Sequence, residues 1–408
     1  MRVLFLNQFY WPDSAATAQL LTDLAEHLAG STRCTVDVIA ARQSYATGRG
    51  FLPTYETRRG VHIHRVDAPV ARYTRLSSRA TPIGRIADMA AFNTLALARA
   101  MSLPRPDVCV AMTSPPFVSA VGLALRRLRS TRLMIWLMDV YPDVATALGA
   151  LRPASIGHRM AERLSRCVYQ HADRIVTPDR AMFTPLQRLG ADPHKLSVVP
   201  NWAPNERPPV RSDDRPTDTL HVMYSGNLGL AHEFDTVLDA ASRLRQRHDL
   251  RFVFAGHGPQ LNRVKSEVRR RGLGNITFAP PQPLTALPEF LASGDVHLVT
   301  LRERAEGLVV PSKLYGILAA GRPTLFVGPG DNEVARTLSA ARAGWTIAPG
   351  SAGELAGHIE RLATDPALLA RMGRSARRYY EAHCTRSRRC QTLEHIITQL
   401  AAPVSPTR

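Results

Sequence analysis

The stretch VPSKLYGILAAGRPTLFVG, Val310 to Gly328, decides the fold. It reads as a loop, a short helix with a Ser-Lys pair in its first turn, and then a buried strand. Pro311 suits the first helical position, where a missing N–H costs nothing. Ser312 and Lys313 set a hydroxyl and an ammonium beside the unpaired N–H groups of the helix start, where an anion is expected. Ala319, Ala320 and Gly321 let the helix end close against a sheet, and the apolar run Thr324 to Val327 fits a parallel strand. Lys313 is one of only three lysines, with Lys195 and Lys265, among 52 basic residues. An ordinary helix with a polar first turn is the alternative for this segment.

Outward from this stretch the same alternation repeats. Val3–Leu6, Val36–Ala40, Val61–Val66, Val108–Ala111, Leu133–Leu137, Ile175–Thr177 and Leu196–Val199 are the expected strands of the first half. Val222–Tyr224, Phe252–Ala255, Ile276–Ala279, Val296–Thr300, Thr324–Val327 and Trp345–Ile347 form a second series. Helical patterns separate them, the signature of βαβ units and parallel sheets. Pro200 to Thr219 interrupts the alternation with five prolines among charged residues. The reading is therefore an α/β chain of two doubly wound, Rossmann-like domains facing a cleft: 1–200, a linker 201–218, and 219–385. A C-terminal helix and tail, 386–408, are expected to cross back to the first domain. Ligands of open α/β sheets bind at the carboxyl ends of strands, so the chemistry is sought there.

Composition narrows the classes. The chain has 408 residues, 45% of them hydrophobic, and no apolar run long enough for a membrane span. Met1-Arg2 leads directly into a strand, so no signal peptide is expected. Five scattered cysteines form no CxxC pair, consistent with reduced thiols in a cytoplasmic protein. The net charge is +18, and the first 200 residues carry +11 of it, from 25 basic and 14 acidic groups. Arg72, Arg75, Arg79 and Arg85 precede the helical pattern Ile86–Met101, and Arg126, Arg127, Arg129 and Arg132 surround Leu123–Met134. Arginines edging apolar faces suit a peripheral position on an anionic membrane surface; a solvated basic face is the alternative. Aromatics are only 6% of the chain and no basic-aromatic motif occurs, which argues against nucleic acid.

Candidate chemistry sits after the strands. The first strand leads through Asn7-Gln8 and FYWPD to the helical pattern SAATAQLLTDLAEHL, whose N-terminus Asp13 or Ser14 can cap. No GxGxxG stands here, so a dinucleotide fingerprint is absent. The fifth strand runs into MDVYPD, where Asp139 suits a base, a stabiliser or a hydroxyl binder, and Asp143 flanks the same loop. No DxD and no His/Cys cluster offers ligands, so no metal is expected. In the second half, YSGNLG (Tyr224–Gly229) follows a strand and precedes a helix expected near His232. Gly226 and Gly229 are read as a tight turn whose amides face an anion. AGHGPQL adds Gly256 and Gly258 at the next strand end. Two glycine turns and the Pro311-Ser312-Lys313 helix on one sheet point to a nucleotide diphosphate.

Taken with PDVCVAMTSPPF (Pro106–Phe117) and LSVVPNW (Leu196–Trp202), these segments resemble the GT-B glycosyltransferases, specifically the family-four group of bacterial exopolysaccharide, O-antigen and colanic-acid-type enzymes. The PDSAAT and PSKLYGILAAGRP pieces are similar to the fucosaminyltransferase-like subgroup. The resemblance implies a UDP-sugar bound by the C-terminal domain as co-substrate, with no cofactor, and an acceptor hydroxyl held by the N-terminal domain. It also implies hexosyl transfer with retention. The donor contacts it implies fall on Gly226, Asn227, Gly229, His232, Gly256, Gly258, Pro311, Ser312 and Lys313. Lys313 is the expected leaving-group stabiliser, with Asp13 and Asp139 as further catalytic candidates. Three family positions differ here: an arginine is Asn227, a lysine is His232, and the ribose-binding glutamate is Gly316. Acceptors implied are a lipid-linked sugar or a small glycoside. The competing readings are a GT-B-fold UDP-sugar epimerase and a non-catalytic partner subunit.

Overall fold

The computed structural model describes residues 1–31, 33–43, 51–68, 82–203 and 219–402, without the side chains of residues 82, 83 and 85. Most of the expected linker, and Arg72, Arg75 and Arg79, lie outside the described residues, as does the Arg85 side chain. The chain divides into two compact units, Met1–Pro200 with Ser387–Arg408, and Asn201–Arg386.

Strands of the first unit are β1 (Arg2–Leu6), β2 (Thr35–Ala41), β3 (Tyr55–Arg58), β4 (Val61–Val66), β5 (Val108–Ala111), β6 (Arg132–Trp136), β7 (Arg174–Thr177) and β8 (Leu196–Val198). They form one sheet in the order β3-β4-β2-β1-β5-β6-β7-β8, parallel except for the β3–β4 pair. β5 is buried at every position, as a central strand covered by helices on both faces must be. The unexpected member is β3, YETR, whose alternating exposure marks a polar edge strand.

The second unit holds β9 (Leu220–Asn227), β10 (Leu250–His257), β11 (Ile276–Ala279), β12 (Val296–Thr300), β13 (Thr324–Val327) and β14 (Gly344–Ile347). Their order, β11-β10-β9-β12-β13-β14, reverses direction beside β9. That reversal is the switch point at which doubly wound sheets open a crevice. Tyr224, Phe234, Phe252, Phe254, Val296 and Leu298 pack beneath it in the core.

After the helix Pro366–Tyr379 the chain makes a π-turn, Tyr380–Cys384, and continues as the helix Arg386–Ala401. Cys390, Leu393 and Ile397 are its buried side, and Nε2 of His27 lies 2.8 Å from Oε2 of Glu394. The last helix thus belongs to the first unit, as expected.

The arginines around Leu123–Met134 are largely occupied within the unit. Arg126 donates twice to Asp173, at 2.9 and 3.2 Å, and Arg132 pairs with the same carboxylate at 3.5 Å. Arg129 donates to the Ala100 and Leu103 carbonyls.

Candidate functional site

The second unit assembles its candidate residues where β9 and β10 meet the turn before Lys313. Both strands run further than the glycines suggest. Gly226 pairs with Gly256 and Asn227 with His257 inside the parallel ladder. The expected turn at Gly226 is therefore a strand continuation. Gly256 has φ +142°, and a β-carbon on it would stand 1.9 Å from the Gly226 carbonyl oxygen. Only glycine permits that approach. The turn itself falls at Leu228 to Ala231, and the Leu228 amide donates to the His257 carbonyl at 2.7 Å rather than facing outward. The helix expected near His232 begins three residues later, at Asp235.

The short helix of the opening stretch spans Lys313–Ala319, with Ser312 as N-cap. Pro311 therefore lies outside it rather than at its first position. Ser312 already has helical dihedrals, φ −65° and ψ −15°, so its hydroxyl makes no cap bond. Lys313 is folded inward. Its Nζ sits 3.6 Å from the Tyr224 ring centroid, and a β-carbon on Gly226 would be 3.6 Å from both Cε and Nζ. That nitrogen is buried and has no hydrogen-bond partner among the described residues. Burial holds its pKa well below the ordinary lysine value. The Tyr224 ring face supplies a cation–π contact to this nitrogen when it is protonated.

His232 is fixed beside it. Its Nδ1 donates to the Thr300 carbonyl at 2.6 Å, since a carbonyl can only accept. Burial, with the Lys313 charge second, pushes its pKa down to about 3. The imidazole is thus neutral, and Nε2 offers a lone pair. Nδ2 of Asn227 would stand 3.1 Å from a β-carbon on Gly229, and Oδ1 would stand 2.5 Å from one on Gly258. The Asn227 side chain therefore lies against Gly229 and Gly258.

Three residues that hold this loop escaped the sequence reading. Gln260 donates through Nε2 to the Gly229 and His232 carbonyls, at 2.6 and 2.9 Å. Arg302 donates to the His232 carbonyl at 2.9 Å and to Oε1 of Gln260 at 3.0 Å. Tyr224 donates to the Asn227 carbonyl at 2.7 Å. Gln260 lies within the quoted AGHGPQL, but its partners are 28 and 31 residues away, beyond any local pattern.

The first unit carries the two acidic candidates. Asp13 is buried, and its amide donates to the Tyr10 carbonyl at 2.9 Å. It does not cap the following helix, Ala16–Ala29, whose N-cap is Ala15 with no side-chain bond; nor does Ser14. The turn closing on Tyr10 places Asp13 too early in the chain. Asp139 follows β6, and burial pushes its pKa up to about 6. Asp143 opens the helix Asp143–Ala147 and is paired with Arg188 at 2.6 Å. Among the described residues no group of histidines, cysteines and carboxylates is arranged to hold a metal.

Residues 16–202 match the family model "Glycosyl transferase 4-like domain", and residues 210–379 match "Glycosyl transferases group 1". Similar curated proteins include the probable glycosyltransferase WbjE of Pseudomonas aeruginosa, 29% identical over 63% of this chain and 66% of that one. The putative colanic acid biosynthesis glycosyl transferase WcaI of Escherichia coli K12 is 29% identical over 53% of this chain and 56% of its own. The matched stretch thus spans under two thirds of either relative. Among solved structures, sucrose-phosphate synthase from Thermosynechococcus elongatus superposes with TM-score 0.76 at 15% identity, covering 98% of this chain and 99% of that one. Anabaena HepE, solved with UDP and glucose, gives TM-score 0.69 at 16% identity, covering 98% and 100%. Two matched models in tandem, on two parallel sheets of this topology, place the chain in the family-four group of GT-B glycosyltransferases.

Proposed function

We propose that the protein transfers a sugar from a UDP-sugar to an acceptor hydroxyl in bacterial polysaccharide or glycolipid synthesis. The observation that carries this is the Lys313 amine, buried without a hydrogen-bond partner among the described residues and held against Gly226 at the switch-point edge of β9. A desolvated cation so placed is stabilised by an anion, and the leaving nucleoside diphosphate supplies one. The names of WbjE and WcaI, and the UDP and glucose held by HepE, support the same reading.

In this scheme Lys313 takes up the charge that develops on the diphosphate as the glycosidic bond breaks, with Ser312 adding a hydroxyl donor. Such preorganised charge contributes a few kcal/mol to a transition state. Neutral His232 serves as an acceptor, through Nε2, for a donor hydroxyl. With retention the leaving phosphate receives the acceptor proton, so the first unit supplies no base. With inversion Asp139, whose raised pKa suits proton uptake near neutrality, is the base, or else Asp13. Product stereochemistry by proton NMR separates the two schemes, and incubation with donor alone separates transfer from epimerisation.

Calorimetric titration of UDP beside GDP, TDP and NAD, without added metal, tests the donor site. Selective UDP binding that Lys313→Ala weakens is the expected outcome. No binding of any nucleotide would overturn the proposal in favour of a non-catalytic partner.

A further inference from the structure

The helix Ile156–His171 of the first unit buries Ser165, Val168 and Tyr169. With those it grips the loop of Asp139, because Ser165 Oγ and Tyr169 Oη both donate to the Tyr141 carbonyl, at 2.8 and 3.4 Å. Its outer side carries apolar residues where water should be. Ile156 is 78% exposed, Met160 65% and Leu164 38%, at spacings of four. Residues four apart lie one above another on a helix, so the three form a continuous ridge about 12 Å long. Single exposed apolar residues are ordinary, but an aligned row of three is not. On the neighbouring helix, Ser119–Arg129, Leu128 is 67% exposed beside exposed Arg127, which reaches Cys167 Sγ at 3.6 Å.

The charges around the ridge are mainly positive. Arg152, Arg159, Arg163 and Arg166 are exposed along the helix and its approach. The one carboxylate of the helix, Glu162, pairs with Arg166 at 3.0 Å, and among the described residues Arg152, Arg159 and Arg163 make no ion pair. An apolar row edged by guanidinium groups is complementary to a bilayer with anionic headgroups, the acyl boundary taking the row and the phosphates taking the arginines.

We infer that the Ile156–Leu164 ridge and its flanking arginines are a docking surface for an anionic lipid bilayer. The occupied arginines around Leu123–Met134 are not the main contact; the Ile156 helix is. Its inner side holds Tyr141 of the loop that follows Asp139, so a bound bilayer would lie across this helix from that loop.

Co-sedimentation of the full chain with vesicles of phosphatidylcholine alone, and of phosphatidylcholine mixed with phosphatidylglycerol, tests the inference. Binding is expected to the mixed vesicles only, and it should weaken as salt rises. Met160→Glu, and separately Arg159→Gln with Arg163→Gln, should each lower partitioning about tenfold. Arg245→Gln, an exposed arginine of the second unit, should leave it unchanged. All these side chains are exposed, so unaltered thermal unfolding of each variant would show that lost binding is not lost folding. Absence of binding, equal binding to both vesicle types, or full binding by Met160→Glu would overturn the inference. A concentration-dependent dimer abolished by Met160→Glu would also overturn it, by assigning the ridge to a second copy. The readout needs neither donor nor turnover, so its failure is independent of the donor-site proposal.

Discussion

Lys313 is the residue on which structure and chemistry pull in opposite directions. Burying an ammonium without a hydrogen-bonded counter-charge costs stability, and the Tyr224 ring offsets only part of that. Lys313→Ala should therefore leave the unfolding free energy unchanged or raise it, while turnover falls about a hundredfold. Unfolding titrations and steady-state rates read the two effects separately, and a variant that lost both would make Lys313 merely structural. The same residue links binding to protons. Between its lowered pKa and the ordinary lysine value the free protein holds Lys313 neutral, and an adjacent diphosphate raises the pKa again. UDP binding in that interval should draw in a proton, seen as a binding enthalpy that varies with the buffer's ionisation heat, and Lys313→Ala should lose that uptake. Asp139 gives the opposite linkage. Its pKa is raised from 3.8 to about 6, so between those values the folded state binds more protons than the unfolded one. Stability from this group is present at low pH and is lost as pH rises through that window. Asp139→Asn should remove that slope and stabilise the protein near neutrality by up to about 3 kcal/mol. Denaturant titrations across the window check it; equal slopes in both proteins would remove the assignment.

At the scale of elements, the sequence announced the strands through their apolar runs and hid what holds their ends. All six expected strands of the second unit are present, because buried parallel strands read as near-continuous apolar stretches. β3 stayed invisible because YETR is a polar edge strand with no such run. The glycines of YSGN and AGHG were legible as special, yet not as members of a ladder, since the Gly226–Gly256 pairing depends on register between segments 30 residues apart. That register makes a sharp prediction. Gly256→Ala would press a methyl onto the Gly226 carbonyl in a backbone region alanine avoids, and should cost about 3 kcal/mol or prevent folding of the second unit. Gln260 and Arg302 were illegible for a related reason, as their partners are carbonyls brought close only by the fold. Gln260→Ala takes the Nε2 donor from the Gly229 carbonyl and the acceptor from Arg302 while the His232 carbonyl keeps Arg302, so UDP affinity should drop about tenfold while stability falls by only about 1–3 kcal/mol. Calorimetry beside a melting curve distinguishes this from a general loss of structure.

For the whole molecule, two tandem series of strands were enough to read a doubly wound pair of units. The return of the last helix to the first unit was expected from helices running on past the last strand and from the family resemblance, since its own apolar residues do not say which unit they will meet. The structure gives that return a physical basis. Cys390, Leu393 and Ile397 are fully buried, and Glu394 meets His27 on the helix Ala16–Ala29, more than 360 residues earlier in the chain. A residue near the C-terminus is thereby part of the core built from the N-terminus. Leu393→Ala should then cost about 3 kcal/mol, the range for emptying a buried leucine site. The loss should be felt by the unit that Leu393 packs into rather than the unit that precedes it in sequence. Hydrogen exchange resolves the two cases, because amides report local opening free energies segment by segment. Protection should fall in Ala16–Ala29 and in β1 and β2, and remain at wild-type levels in β9, β10 and β12. Equal loss in both sets would mean that the two units unfold as one, and loss confined to the second set would place the last helix in the wrong core.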